Sequence, residues 1–310
     1  MSRIRMVGAA VTGIALALSL AACGADEDPL AQETGAASSG GTVTVGSANF
    51  AESELLAEIY SQALEAKGVT VKRSFNIGAR ELYLKALQDG SIDLLPEYNG
   101  ALLSALSTGG APEGVSKPED VLGALKKVLP AGTEVLEQSS AEDKDTLTVT
   151  AETAAKHSLK TIEDLKAVAG QLTIGAGPEW GERYQGLKGL KEVYGVEFKE
   201  FKPLDAGGPL TVNALKDGQI DVANIFSTDS SIVTNKFVVL EDPKSLYLAE
   251  NILPLIRTEA NNDTVSGALN AVSAKLTTEN LTSYLAQVQV DKKDTATVAK
   301  AFLTENGLAS

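Results

Sequence analysis

An internal repeat constrains this 310-residue chain more than any other feature. The pattern A-L-x-D-G-x-I-D, followed by an aliphatic residue, begins at Ala86 and returns at Ala214. Each copy predicts a helix, stopped at Asp-Gly, and then a short buried strand; in the first copy we expect the strand at 92–95 and a polar turn at 96–100. Two copies predict two similar α/β lobes. Because ligands bind at the carboxyl ends of strands in open α/β sheets, we expect a small-molecule site between the lobes.

The N-terminal residues have the pattern of an export signal. Arg3 and Arg5 precede an apolar stretch, 7–20, that is shorter than a typical transmembrane helix. Leu-Ala-Ala-Cys closes it at Cys23, the only cysteine, and resembles the lipobox of bacterial lipoproteins. We expect a signal peptide at 1–22, lipidation of Cys23 and a flexible tether over 23–41. The alternative is an ordinary secretory signal. A single cysteine leaves no partner for an internal disulfide.

The order of elements after residue 41 predicts a clamshell of two α/β lobes joined by two linking strands. We expect lobe 1 to comprise 42–145 and 246–310, and lobe 2 to comprise 146–245. The hinge is expected near 144–148 and 241–250. Within lobe 2 the pattern predicts a helix over 181–194, and two or three amphipathic helices are expected in 262–306.

Composition argues against several functions. A net charge of −14 disfavours nucleic acid and anionic membrane surfaces as partners. With one histidine, His157, and one cysteine, neither a Cys/His nor a multi-His metal site can be assembled, and no cofactor motif is found. The acidic pairs Glu52 with Glu54 and Asp217 with Asp221 are typical of solvated faces. We therefore expect a protein that is not an enzyme.

Four motifs occur in one order over residues 43–309. They are Gly46-Ser47-Ala48-Asn49-Phe50-Ala51-Glu52, then Ile92-Asp93-Leu94-Leu95-Pro96-Glu97-Tyr98-Asn99-Gly100, then Gly177-Pro178-Glu179 with Arg183, and Phe226-Ser227-Thr228-Asp229. Together they resemble the osmoprotectant-binding proteins of ABC importers, the ProX/OpuAC-like group that captures glycine betaine, choline, carnitine or proline betaine. The resemblance implies a type II-like periplasmic-binding-protein fold and a monomer that is held outside the cytoplasm. It also implies delivery of the solute to an ABC permease with its ATPase; the lipobox adds anchoring at the outer face of the cytoplasmic membrane.

That family holds a quaternary ammonium group in a cage of aromatic rings, because a cation without N–H donors is best met by ring faces. The cage tyrosines correspond here to Tyr98, Leu147 (after Asp145), Phe226 and Glu250, so that two rings remain. Arg183 is the candidate for a ligand carboxylate. The full set of expected ligand-binding residues is Asn49, Tyr98, Asn99, Asp145, Leu147, Arg183, Phe226, Thr228 and Glu250.

These departures leave two ligand classes open. One is a betaine- or choline-like cation held by Tyr98 and Phe226 and countered by Glu250. The other is a neutral or aromatic solute hydrogen-bonded by polar residues that include Arg183 and Thr228. Core packing is the alternative for both rings. At the level of function, a clamshell enzyme or sensor and a surface lipoprotein with an interaction role are the rivals.

Overall fold

A computed structural model describes residues 41–107, 109–112 and 114–309. The expectations for the signal peptide, Cys23 and nearly all of the tether fall outside this range. Within it, the chain forms two α/β lobes, each built on a five-stranded mixed sheet, as the repeat predicts. No helix in the described ranges combines the length and the apolar character needed to cross a bilayer.

Lobe 1 begins with eight elements. They are β1 (Val43–Gly46), α1 (Ala51–Glu65), β2 (Val71–Ser74), α2 (Arg80–Gln88), β3 (Leu94–Tyr98), α3 (Asn99–Leu106), α4 (Pro118–Val128) and β4 (Thr133–Val135). After lobe 2 the chain returns to add β10 (Ile252–Arg257), α8 (Asp263–Ser273), α9 (Thr278–Gln289) and α10 (Thr295–Glu305). The strand order is β2-β1-β3-β10-β4, with β10 antiparallel to both neighbours. Eleven of the fifteen residues of α1 are buried, because α1 packs against the sheet and against α8 and α10.

Lobe 2 repeats this topology with β5 (Asp145–Val149), α5 (Ala151–His157), β6 (Thr173–Ala176), β7 (Glu200–Pro203), α6 (Pro209–Lys216), β8 (Val222–Phe226), α7 (Ser230–Thr234) and β9 (Val238–Val239). The strand order is β7-β6-β8-β5-β9. In the sheet of each lobe, the first three strands of this order are parallel to one another. The fourth, β10 in lobe 1 and β5 in lobe 2, is antiparallel to them and adjoins a segment that crosses between the lobes.

The predicted helix over 181–194 is confirmed only in its C-terminal part, because Gly186 breaks the helical backbone near its start. The segment forms three short helical turns, Pro178–Glu182, Tyr184–Lys188 and Leu190–Tyr194, interrupted at Gly186, whose φ is −108° and ψ −139°. A Cβ at Gly186 would lie 1.6 Å from the carbonyl oxygen of Trp180. The chain therefore doubles back tightly over Trp180, which a regular helix could not do.

Each copy of the repeat ends its helix on a glycine at positive φ, +80° at Gly90 and +68° at Gly218, as the Asp-Gly signal predicts. The strand of the first copy is nevertheless Leu94–Tyr98 and not 92–95. Residues 96–98 are buried strand, and α3 begins at once at Asn99. The expected polar turn at 96–100 is wrong, because β10 pairs along the whole of β3 and covers it.

The aspartate that closes each copy ties its strand to the neighbouring one. Asp93 Oδ2 accepts a hydrogen bond from Thr44 N (2.8 Å), and Asp221 Oδ2 accepts one from Thr173 N (2.8 Å). The isoleucine before each aspartate packs on a strand glycine: a Cβ would lie 2.7 Å from Ile92 Cδ1 at Gly46 and 2.6 Å from Ile220 Cδ1 at Gly175. The repeat thus encodes the same helix–strand junction twice.

The two segments that cross between lobes run antiparallel beside each other. Glu142 and Asn251 form a bridge, and Asp143 N donates to Glu250 O (3.2 Å). On the return segment, Tyr247 packs into the core of lobe 2, whereas Leu248 packs into lobe 1. We propose that these paired segments form the hinge and that the lobe boundaries fall within them.

Candidate functional site

A cavity of about 70 Å³ lies between the lobes. The turn between β1 and α1, the start of α2 and the end of β3 supply its lobe 1 wall, and the ends of β6 and β8 supply its lobe 2 wall. Its lining comprises Ala48, Asn49, Phe50, Ala79, Arg80, Tyr83, Tyr98, Ala101, Asp143, Asp145, Gly177, Glu179, Trp180, Arg183, Ala206, Asn224, Phe226 and Glu250. Since one water needs roughly 10–15 Å³ by this measure, the cavity suits a compact solute.

Aromatic rings from both lobes meet at this cavity. The Phe50 ring centroid lies 5.0 Å from that of Phe226 and 6.1 Å from that of Tyr98. Tyr98 and Phe226 are the last residues of β3 and β8. They are 128 positions apart, which is also the spacing between Ala86 and Ala214, where the two copies of the repeat begin. The two expected rings therefore come together, and Phe50, which the sequence analysis did not single out, adds a third.

Trp180 both packs and lines the cavity. It is 3% exposed, belongs to the core of lobe 2, and stacks on Phe201 with ring centroids 6.5 Å apart and an interplanar angle of 22°. Trp180 nevertheless also belongs to the cavity lining. Since the chain contains a single tryptophan, its emission reports on this wall alone.

Buried carboxylates give the cavity its electrostatic character. Burial raises the pKa of Glu250 well above its usual value, and the neighbouring charge of Asp145 raises it further. Burial also raises the pKa of Asp145, although Asn224 Nδ2 donates to its Oδ1 at 2.7 Å. Gln185 Nε2 donates to Glu250 Oε1 (2.8 Å) from lobe 2. A cation in the cavity would relieve these unfavourable charges.

Both arginines in the wall are already paired. Arg80, 8% exposed, donates to Glu97 through Nε (2.8 Å) and Nη2 (3.0 Å), and Tyr83 Oη donates to the same carboxylate (2.7 Å). Arg183 lines the cavity as expected, but its fork is bound to Glu81 of lobe 1 at 3.0 and 2.9 Å. In this arrangement the Nε–Nη2 edge of each guanidinium is occupied by a glutamate of lobe 1.

Glu52 is buried, so the expectation of a solvated face is wrong. It is the second residue of α1, within the first helical turn, and it is 3% exposed. Tyr98 Oη donates to Glu52 Oε1 (2.8 Å), and Thr228 Oγ1, from lobe 2, donates to Oε2 (2.5 Å). Thr228 lines a second opening of the cleft, which we call the outer groove and which Gly208, Asp229 and Gln289 also line. It is absent from the cavity lining.

Of three other expected site residues, one lines the cavity and two lie outside it. Asn49 lies exposed at the cavity. Asn99 lies outside the lining: its Nδ2 donates to Gln138 and its Oδ1 accepts from Asn251 N (2.9 Å), so that it holds the return segment. Leu147 is fully buried in the core of lobe 2 and is absent from the lining.

Sequence reasoning missed several residues of the wall, and one signal could have found some of them. Asn224 lies on β8, where it pairs with Leu147 across the sheet, and Asp143 lies on the crossing segment. Polar residues are unusual inside buried segments. The polar side chains of Asn224 and Asp143 at such positions were therefore the available signal. Arg80 and Tyr83 gave no such signal, because both belong to an ordinary amphipathic helix.

No cluster of His, Cys, Asp or Glu side chains suited to a metal ion is found among residues 41–107, 109–112 and 114–309.

The comparisons with known proteins agree with this geometry. Residues 41–305 match the family model described as the substrate binding domain of ABC-type glycine betaine transport systems. The carnitine transport binding protein OpuCC of Listeria monocytogenes is 28% identical over 277 residues, which cover 87% of this chain and 88% of that protein. The ergothioneine transport permease/ergothioneine binding protein EgtU of Helicobacter pylori is 27% identical over 265 residues, covering 83% of this chain but 46% of that longer protein.

A crystal structure of a glycine betaine/carnitine/choline ABC transporter has the same fold. It superposes with a TM-score of 0.66 at 23% identity, covering 86% of this chain and all of that one. The expected type II periplasmic-binding-protein architecture is thereby confirmed.

Proposed function

Because the chain belongs to the family of substrate-binding domains of ABC-type glycine betaine transport systems, we propose that its interlobe cavity captures a compact quaternary-ammonium solute. The protein is the solute-binding component of an ABC importer, a transport family and not an enzyme family. The lobes close over the solute, and the closed form delivers it to the membrane permease. Closure follows from the tighter binding of the solute to the closed state.

The meeting of rings with buried carboxylates is the observation that carries this proposal. Phe50, Tyr98 and Phe226 offer ring faces, which attract a cation that has no hydrogen to donate. Asp145 and Glu250 line the same cavity, and burial raises the pKa of both carboxyl groups. A cation in the cavity favours their ionised forms and is bound more tightly as a result, whereas a neutral solute gains nothing from them.

The paired arginines favour a choline-type cation over a betaine. A ligand carboxylate is best held by a free guanidinium fork, and to offer its Nε–Nη2 fork Arg183 would have to exchange Glu81 for the ligand. A trimethylammonium group with a hydroxyl tail needs no such exchange. We therefore place choline first and glycine betaine and carnitine after it.

The cellular setting is part of the same proposal. Family members of this kind act outside the cytoplasm, and the sequence Leu-Ala-Ala-Cys at Cys23 supports lipid anchoring of a monomer to the outer face of the cytoplasmic membrane. Mass spectrometry of the mature protein tests the anchor: we expect a diacylglyceryl group on Cys23, and its absence from an exported protein would contradict anchoring.

A thermal-shift screen tests the ligand class. The panel holds choline, glycine betaine, carnitine, ergothioneine, amino acids and small phenolic compounds. Choline at a hundred times its Kd should add about 2.7 kcal/mol of apparent stability. Replacing Phe226 by Leu, which keeps apolar bulk but removes the ring, should remove most of the shift.

The other outcomes separate the alternatives. A shift given only by an uncharged or aromatic solute would keep the transport role and overturn the cation proposal. No shift with any solute would favour an interaction role for the two-lobed protein.

A further inference from the structure

We propose that Glu52 is a positioning residue that joins the ring of Tyr98 to Thr228 of lobe 2 and thereby holds the two lobes closed over the solute. We call its two hydrogen bonds, to Tyr98 Oη and Thr228 Oγ1, the closing contact. The inference rests on the proposed function, since it concerns the same cavity.

The closing contact lies at the boundary of cavity and outer groove. The ring of Tyr98 lines the cavity, while its hydroxyl donates to Glu52 Oε1 at 2.8 Å. The other oxygen, Oε2, accepts from Thr228 Oγ1 at 2.5 Å. Glu52 and Thr228 are 3% and 2% exposed. One carboxylate therefore bonds a cavity-lining side chain of lobe 1 and a side chain of lobe 2 at once.

The hinge reinforces the same junction. Asp143, on the crossing segment, accepts from Thr228 N (3.0 Å) and from Ser227 Oγ (3.1 Å) through Oδ1. Asp143 is also bonded to the return segment through its own N–H group, which donates to Glu250 O. The turn after β8 is thus held by the hinge and by α1, and opening the lobes must break its bond to Glu52.

The bond from Thr228 belongs to the closed arrangement alone, whereas the bond from Tyr98 lies within lobe 1. A hydrogen bond to a buried carboxylate shifts an equilibrium about tenfold to a hundredfold. Loss of the Thr228 bond should therefore disfavour closure by that factor and should weaken solute binding equally, because binding and closure are coupled.

Neighbouring titratable groups give the contact a pH dependence. Glu52 faces Asp143, Asp229 and the hydroxyl of Tyr98, and Asp143 faces Glu250. Burial raises the pKa of Glu52 and of Asp143, so the closed lobes retain a proton that solvated carboxylates would release. This contribution to closure is complete at low pH and is lost as the pH rises through the raised pKa values.

A helix-stabilising role is the alternative, because an acidic residue in the first turn favours α1 through its dipole. Glu54 shares that turn but bonds Asn76 within lobe 1 (2.9 Å). Glu54→Gln is therefore the matched control: it changes the dipole interaction and leaves the closing contact intact.

Titration calorimetry with choline and with glycine betaine, combined with small-angle X-ray scattering, tests the proposal. Thr228→Val and Glu52→Gln should each raise the Kd about tenfold to a hundredfold and enlarge the radius of gyration at subsaturating solute. Thr228→Ser, which keeps the hydroxyl, should stay near the unaltered protein, as should Glu54→Gln. The effects of Thr228→Val and Glu52→Gln should not add in the double variant.

Two results would overturn the inference. One is a Kd for Thr228→Val within twofold of that for Thr228→Ser. The other is an equal loss of affinity in Glu52→Gln and Glu54→Gln. If the unaltered protein bound neither solute, the ligand proposal would fail instead, and scattering without solute would still decide: Thr228→Val must be more open than Thr228→Ser.

Discussion

At the scale of single residues, the site differs from the expected aromatic cage in a consistent way. Two of four cage positions keep a ring, and the position of Glu250 exchanges a ring for a carboxylate beside Asp145. Phe50 supplies a ring from another element, close to Phe226. We propose that charge and rings together take the place of a cage made of rings alone.

We expect the contribution of Glu250 and Asp145 to the choline affinity to fall as the pH is lowered through their raised pKa values, because protonation removes the charge that counters the cation. The contribution of Glu52 and Asp143 to closure runs in the opposite direction. In the protein without solute, the contribution of these two groups, Glu250 and Asp145, to the free energy of unfolding should decrease as the pH rises through their raised pKa values, since burial favours their neutral form. Calorimetry from about pH 8 to pH 5 measures the first trend, and melting temperatures measure the second.

The variants Glu250→Gln and Asp145→Asn isolate these two groups from Glu52 and Asp143. Each should lower the choline affinity at neutral pH by about tenfold or more and flatten its pH dependence. A dependence as steep as that of the unaltered protein would exclude Glu250 and Asp145 as its source.

At the scale of elements, the repeat carried most of the prediction of the fold. It predicted two similar lobes because Asp-Gly stops and buried strands are local signals. It could not predict that β10 covers β3, which turns the expected polar turn into buried strand. Nor could periodicity show the reversal at Gly186, which is set by contact with Trp180. Ring positions at strand ends were predictable; partners of Glu52 and Arg183, which lie far away in the chain, were not.

The aspartates at the end of each copy of the repeat, Asp93 and Asp221, should each stabilise their lobe. Asp93→Asn and Asp221→Asn each weaken the bond to a backbone N–H of the neighbouring strand, and each should lower the free energy of unfolding by about 1–3 kcal/mol. Chemical denaturation measures this. Asp93 also pairs with Arg257 (3.1 Å), so a smaller effect there than at Asp221 would contradict the contacts.

Gly186→Ala should destabilise the protein and disturb the cavity together. The added Cβ would overlap the Trp180 carbonyl oxygen, so the turn must shift; we expect a loss of about 2 kcal/mol or more in the free energy of unfolding. Gly123→Ala is the control, since a Cβ there meets nothing within 4 Å and alanine favours helix α4 by about 0.5–1 kcal/mol. Denaturation with choline titration of both variants tests this; equal stability of the two would be the contrary result.

At the scale of the whole molecule, contacts between lobes line both sides of the cleft. Arg183 bonds Glu81 at one side, and Gln289 of α9 bonds Asp229 (2.7 Å) and Ser230 (2.9 Å) at the other. We propose that these contacts and the cavity between them represent a closed arrangement, from which a solute would leave by rotation about the paired crossing segments.

The emission of Trp180 should change when choline binds, because Trp180 lines the cavity and also packs in the core of lobe 2. Steady-state fluorescence measures the change, and its concentration dependence should give the calorimetric Kd. An unchanged spectrum with choline bound, as shown by calorimetry, would place the solute away from this wall.

The equivalence of Tyr98 and Phe226 has an evolutionary consequence. Two halves with the same strand order, the same junction motif and an aromatic residue at the same strand end are what duplication and fusion of one ancestral half would leave. The carboxylates Asp143 and Glu250 lie on the crossing segments, whereas Asp145 begins β5 and the two rings stand at the ends of β3 and β8. Ligand preference could therefore change through substitutions in the connections while both halves kept their fold.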